Sequence, residues 1–326
     1  MSIQVQNLQK TYQTFERGSN FGEVFASLFV RRTQLLHALK GISFEVAPGE
    51  LIGFLGPNGA GKSTTLKILT GILHPTAGAV KILGYTPWLE RKQYVAKIGA
   101  VFGQKSQLLW DIPPLDAFEM NQAIYDIPAP VFRKTMNHMV ELLNVGAIIR
   151  KPTRQLSLGE RMKCEFIMAM LHQPRVVFLD EPTIGLDVIA KDTIREFILE
   201  LNRAGVTFIL TTHDLDDIQH LAQRVIVINY GEIVFDDSLE ALRNYLGTIK
   251  TVSLSTLKPL PDFSVFPGVQ ITKTVSAYEA ELELDHSRTE LNQFIKAVNE
   301  TSVIKDLTIA DLPIESVIKT MYTQRA

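Results

Sequence analysis

A single cysteine, Cys164, stands in 326 residues, which excludes a framework of internal disulfides and suits a reducing compartment. Its neighbours Phe166, Ile167, Met168 and Met170 point to a thiol buried in a helix, where cysteine behaves as a small hydrophobe. Neither charge sign is in excess: 33 Lys and Arg stand against 35 Asp and Glu. That balance offers no nucleic-acid footprint and no polybasic membrane anchor. No uninterrupted apolar run approaches the ~18–20 residues needed to span a bilayer. The N-terminus also lacks the basic region and apolar core of a secretory signal. The expectation is a soluble, cytoplasmic polypeptide whose membrane role comes through a partner. Internal repeats and low-complexity tracts are absent too, and the length leaves room for two domains.

What the chain does have is concentrated in Gly56-Pro57-Asn58-Gly59-Ala60-Gly61-Lys62-Ser63-Thr64. Two glycines, spaced as in a phosphate-binding loop and followed by Lys and Ser, allow successive backbone N–H groups to curl around phosphate oxygens. A helix that follows adds its positive N-terminal end. Leu51 to Leu55 reads as the buried strand leading in, and Thr64 to Thr70 as the helix leading out, closed by Gly71. In this arrangement Lys62 reaches the outer phosphates and the Ser63 hydroxyl is placed to ligate Mg²⁺.

Around that loop the elements alternate in type. Ile3, Val5 and Leu8 begin a strand ending near Tyr12, and Leu39 to Val46 alternates as another. Between them, residues 16–36 read as an insertion in which Phe21, Val24, Phe25, Leu28 and Phe29 recur at helical spacing. A helix lying on the domain explains that pattern, and so does a docking surface for a membrane partner. Val80 to Leu83 and Ile98 to Phe102 continue the strands, with Gln104 just beyond the second. From Ser106 the character becomes helical, punctuated by Pro113-Pro114 and by Pro128-Ala129-Pro130, so an inserted helical subdomain is expected over about 106–172. Ser157 with Glu160 three residues on is a capping box that opens the next helix.

That helix leads to Val176-Val177-Phe178-Leu179, a buried strand delivering Asp180 and Glu181 at its C-terminal end, the edge where ligands of open α/β sheets collect. Asp180 suits a Mg²⁺ site, and Glu181 suits a general base for an attacking water. Gln104 and His213, beyond the ends of two other strands, complete one set of groups around a γ-phosphate. Arg224 to Asn229 and Ile233 to Phe235 form a hairpin about Tyr230-Gly231. After Leu246 the texture changes to a small α+β pattern over 247–326 that lacks any cluster of catalytic residue types.

With these motifs in this order, the sequence resembles the ATP-binding subunit of an ABC (ATP-binding cassette) transporter over residues 2–246. The matching stretches are the phosphate loop Gly56 to Thr64, the glutamine Gln104, the signature Leu156 to Glu160 and the metal-binding strand Val176 to Asp180. They continue through Glu181, the loop Gly185-Leu186-Asp187 and the histidine His213. The resemblance implies an α/β P-loop NTPase cassette with an inserted helical subdomain and a C-terminal accessory domain. ATP and Mg²⁺ are the implied cofactors, and Tyr12 stands where an aromatic stacks on adenine. It also implies a second cassette, a copy of this chain or a paralogue, closing head to tail. Ser157, Leu158, Gly159 and Glu160 would then face the partner's ATP, with Asp187 in the dimer contact.

Integral-membrane subunits are the remaining implied partner, with the cassette peripheral on the inner face of the cell membrane and no nucleic acid involved. The insertion and C-terminal domain resemble those of bacterial exporters. Three positions depart from the family's usual residues: Leu158 replaces Gly, Glu160 replaces Gln, and Ile184 replaces Ser. An importer-type ATPase is the nearest alternative. A soluble cassette acting on ribosomes or DNA fits less well, because there is one phosphate loop and no long coiled coil. A nucleotide-binding regulator without turnover would not require Glu181 and His213.

Overall fold

The computed structural model describes residues 2–15, 33–103, 105–245 and 247–323. They divide into two units, residues 1–236 and 237–326.

The first unit is organised by short, almost wholly apolar strands. β3 (Leu51–Leu55), β6 (Val176–Asp180), β7 (Thr207–Thr211) and β8 (Arg224–Asn229) are buried nearly throughout, the pattern of parallel strands covered on both faces. With β5 (Ile98–Phe102) and β9 (Glu232–Ser238) they form a six-stranded sheet, ordered β5-β6-β7-β3-β8-β9. The phosphate loop therefore leaves a central strand. Its neighbours β7 and β8 run parallel to it, and β6 lies beyond β7. Tyr230 and Gly231, both with positive φ, turn β8 into β9, as the hairpin reading expects.

A second sheet, β2-β1-β4, pairs β1 (Ile3–Phe15), β2 (Thr33–Val46) and β4 (Ala77–Ile82) antiparallel. Its inward residues Ile3, Val5, Ile42, Phe44 and Val80 share one core with Phe54, Leu66, Phe178 and Ile226 of the parallel sheet and its helices. Each such side chain contributes about 1.5–3 kcal/mol by leaving water. Strands β1 and β2 are longer than the sequence pattern indicates, because Thr14 and Phe15 pair with Gln34 and Thr33. Residues 33–36 therefore belong to β2 rather than to an insertion; the remainder of that stretch, 16–32, lies outside the described residues.

The proline pairs open helices here. Pro114 begins the helix Pro114–Ile124, and Pro128 precedes the helix Ala129–Leu142. Proline suits a first turn, where its missing N–H would have no partner and its φ is already helical. Phe118, Phe132, Met139 and Leu143 bury the inner faces of these helices. Asn121 Nδ2 donates to Met168 O at 2.8 Å, joining them to the helix Leu158–Met170.

The second unit begins ten residues ahead of the change in sequence texture, because the helix Leu239–Asn244 packs against the C-terminal helix Ile314–Thr323. Its sheet runs β11-β12-β10-β13, every neighbouring pair antiparallel. β11 (Val269–Ser276) and β12 (Glu279–Asp285) lie where alternation predicts them. β10 (Ile249–Thr256) and β13 (Ile304–Asp311) were hidden by their Ser, Thr, Lys and Asp content. Val252, Leu254, Leu282 and Leu284 pack under Phe294 and Val298 of the helix Leu291–Ser302.

Candidate active site

The phosphate loop keeps its shape through backbone that only glycine accepts readily. Gly59 and Gly61 have φ of 82° and 115°. A Cβ at Gly61 would lie 2.9 Å from Ala38 O, and one at Gly56 only 2.4 Å from Ile228 O. Gly61 also caps the helix Lys62–Leu69 without a side-chain hydrogen bond, so the first-turn N–H groups have no side-chain competitor for an anion. Lys62, 6% exposed, folds back and donates from Nζ to Gly56 O at 2.6 Å and Pro57 O at 3.1 Å. Burial lowers its pKa, while the negative charges of Glu181 and Asp180 oppose that shift. A charge kept out of water and held by two carbonyls is ready to trade them for phosphate oxygens.

Asp180 closes β6, and its Oδ1 accepts from the Ser63 hydroxyl at 3.1 Å and the Thr211 hydroxyl at 2.6 Å. The next residue corrects the sequence expectation. Glu181, expected at the end of the strand with Asp180, lies one residue past it in left-handed backbone, φ 52°. Its N–H donates to Thr211 O at 2.9 Å. The positive φ redirects the side chain so that Glu181 Oε1 lies 3.2 Å from His213 Nδ1. Backbone strain of this kind gathers at functional sites. Gln104 lies outside the described residues, and Lys105 follows it.

These groups meet in a cleft of about 470 Å³, where Asn58 and Ser63 face Asp180, Glu181 and His213, and Lys67 and Lys105 supply positive charge. A carboxylate and a hydroxyl oxygen suit a hard divalent cation such as magnesium, which takes few protein ligands and fills its shell with phosphate and water. A larger cavity, about 540 Å³, lies at the opposite ends of β6 and β7 near Arg175 and Val206. It contains neither the phosphate loop nor either carboxylate, so the smaller cleft is the candidate site.

Tyr12 is partly exposed near the end of β1, with Lys10 Nζ 5.1 Å from its ring centre. Ser157 caps the helix Leu158–Met170: its hydroxyl accepts from Glu160 N at 3.2 Å, and Glu160 Oε2 accepts from Ser157 N at 2.8 Å. The unusual Glu160 is thus used as a cap in this conformation. A Cβ at Gly159 would come 2.9 Å from the Ala190 side chain, and one at Gly185 would come 3.2 Å from Leu158. The signature therefore packs closely on the segment holding Asp187, whose Oδ1 caps the helix Val188–Arg203 through Ala190 N at 2.8 Å.

Three contributors were missed by motif reading. Thr211 holds the Asp180 carboxylate, and Gly103 leaves room where a Cβ would sit 2.0 Å from Glu181 O. The third is a buried trio. Arg195 Nε donates to Asp217 Oδ1 at 2.8 Å, and the Thr183 hydroxyl donates to Asp217 Oδ2. Asp217 has no exposed surface. The trio ties the turn after Glu181 to the helix after Asp187 and the helix after His213. Its only sequence signal was an Arg and an Asp at core-facing positions of two helices, which the surrounding charges obscured.

Comparison with known proteins points to one family. The ABC transporter family model matches residues 39–184. The ABC transporter ATP-binding protein YdbJ of Bacillus subtilis is 30% identical over 288 residues, 88% of this chain and 87% of that one. The linearmycin resistance ATP-binding protein LnrL of Bacillus subtilis is 26% identical over 85% of this chain and 89% of its own length. The energy-coupling factor transporter ATP-binding protein EcfA of Methanocaldococcus jannaschii is 30% identical over 70% of this chain and 82% of its own. Among solved structures, a dimeric ATP-binding cassette in a post-hydrolysis state, bound to ADP and Pi, superposes with a TM-score of 0.61 at 25% identity. That match covers 73% of this chain and 98% of that one.

Proposed function

The chain belongs to the ATP-binding proteins of ABC transporters and is an ATPase of that family, and from that premise we propose the role of each site residue and the assembly in which it works. The phosphate loop, Gly56 to Thr64, holds the triphosphate, with Lys62 moving from the Gly56 and Pro57 carbonyls to the outer phosphates. Ser63 and Asp180 hold Mg²⁺, with Gln104 as a further ligand. When bound there, Mg²⁺ would supply positive charge against the phosphate oxygens. Tyr12 stacks on the adenine.

Glu181 takes a proton from the attacking water as the new P–O bond forms and the bond to the β,γ-bridging oxygen breaks, releasing ADP and phosphate. His213, held beside Glu181, orients that water and the γ-phosphate. Two cassettes close head to tail, with Asp187 in their contact. Ser157 and the backbone at Leu158 and Gly159 then complete the site on the opposite subunit. Glu160 stays committed to its cap, so its charge is kept from the phosphates.

The observation that carries this reading is the meeting at Asp180: one carboxylate oxygen receives the hydroxyl of the phosphate loop at 3.1 Å, with the Glu181–His213 pair beside it at 3.2 Å. The site drives integral-membrane subunits from the cytoplasmic face; among the described residues no helix is long and apolar enough to cross a membrane. Export is the direction better supported. The match to the resistance protein spans 281 residues, more than the first unit contains, so it extends into the C-terminal unit. The energy-coupling factor match, at 230 residues, does not need to.

Lys62→Ala should abolish ATP binding and turnover. Glu181→Gln should keep ATP and lower turnover by about 10³-fold. Ser157→Arg mixed with Lys62→Ala should regain one working site per dimer. Wild-type hydrolysis by the Glu181→Gln chain, or no recovery in the mixture, would contradict the assigned roles.

A further inference from the structure

Glu165 is a buried carboxylate that the hydrolysis scheme leaves unused. It lies two turns beyond Ser157 on the helix Leu158–Met170 and is 4% exposed. Among the described residues, the hydrogen bonds to its side chain come from one short stretch. Oε1 accepts from the Ser106 hydroxyl, from Gln107 N at 2.9 Å and from Leu108 N at 3.3 Å; Oε2 accepts from Gln107 N at 3.1 Å. A desolvated carboxylate fastened by backbone amides is an expensive arrangement for a chain to keep, because losing the donors would leave the charge buried and bare.

The stretch that Glu165 holds is the way out of the nucleotide cleft. It begins at Gly103, whose N–H donates to Asp180 O at 2.8 Å. Lys105, two residues on, lines the cleft. Gln107 turns its side chain back to donate to Ala100 O at 2.6 Å. One end is thus tied to the strand edge bearing Asp180, and the other to the helix that begins at Ser157. Coupling between sites is carried by continuous hydrogen-bonded and packed segments of this kind.

We propose that Glu165 is a positioning residue that latches this loop to the signature helix, so that occupancy of the chain's own cleft is passed to Ser157, which serves the ATP of the opposing subunit. The inference rests on the head-to-tail reading above. It makes the two ATP sites of a dimer sense one another through a single carboxylate in each subunit. A merely structural Glu165 would hold the fold together without carrying a nucleotide signal from loop to helix.

Hydrogen exchange of the full-length chain, with and without ATP and magnesium, separates these. The measurement is made in a Ser157→Arg background, so that closure onto a second subunit does not itself protect the helix. ATP should slow exchange at residues 56–63, at 105–108 and at 161–165. With Glu165→Ala added, the first two responses should persist and the third should fall by about tenfold in protection. Glu165→Gln, nearly isosteric and keeping one acceptor oxygen, should retain the fold and an intermediate response. A full-strength response at 161–165 in either variant, or none in the chain that keeps Glu165, overturns the relay. Absence of any response at 56–63 overturns the ATP-site reading itself and takes the relay with it, an outcome visible in the same data.

Discussion

The two units of the chain treat charge in opposite ways. In the first, Lys62, Glu165, Arg195 and Asp217 are all buried, each held by a hydrogen bond or ion pair to a named partner. In the second, the buried polar residues among those described are Thr256, Thr289 and Ser302, none of them ionised, and the charges stay near water. Burying an ion is costly unless geometry repays it, so a unit that does so repeatedly is built around a task. The second unit has the packing of a stable domain and none of that outlay. The buried charges fall in the unit that also holds the candidate site.

The largest test of the contrast is Asp217→Asn. It keeps the side-chain volume but leaves Arg195 with the ion pair to Asp192, at 3.3 Å, and no fully buried acid opposite its guanidinium among the described residues. The expected cost is about 3 kcal/mol, since one partner of a buried pair has lost its charge. Denaturant unfolding should show it, and ATP turnover should fall with it, because the trio braces the turn after Glu181. In the second unit, Leu282→Ala should cost a comparable 2–4 kcal/mol by leaving a cavity. ATP turnover at a temperature where the chain stays folded should hardly change. Equal loss of turnover in both variants would erase the distinction.

A smaller effect follows from His172. Its ring stacks on Tyr125 at 4.1 Å, Nε2 donates to Ile98 O at 2.7 Å, and burial lowers its pKa below the usual histidine value. The unfolded chain therefore takes up the proton first as pH falls. Stability should be fully present above about pH 6.5 and decline as acid is added through the lowered folded pKa. His172→Gln should flatten that dependence in a series of thermal melts. Smallest of all is Lys250→Ala, which breaks a pair with the largely exposed Asp311. Surface pairs contribute little and weaken with salt, so its melting temperature should stay close to that of the parent at moderate ionic strength.

Much of the site was legible because its chemistry is written in contiguous stretches. The phosphate loop needs glycines at fixed spacing whatever surrounds it, and the cap at Ser157 and Glu160 is closed within one turn. Asp180 could be placed because four apolar residues precede it. Glu181 could be named but not oriented: its left-handed backbone depends on Gly103 leaving space at its carbonyl and on Thr211 receiving its N–H. Glu165 gave no signal and Asp217 only an obscured one, since a lone acid in a helix reads as solvated until its neighbours are known.

The chain's order of residues by itself determined the loop that cradles phosphate, the strand runs and helix starts, and the residue types available for hydrolysis. Those depend on local spacing, turn chemistry and periodicity. Only the tertiary structure decided which carboxylate meets which hydroxyl, how Glu181 is turned toward His213, and which acids are buried. Such matters are settled by contacts between segments 30 to 120 residues apart, as in Ser63 with Asp180, Glu181 with His213 and Glu165 with Gln107. Desolvation and distance, which fix the worth of a charge, exist only once those segments have met.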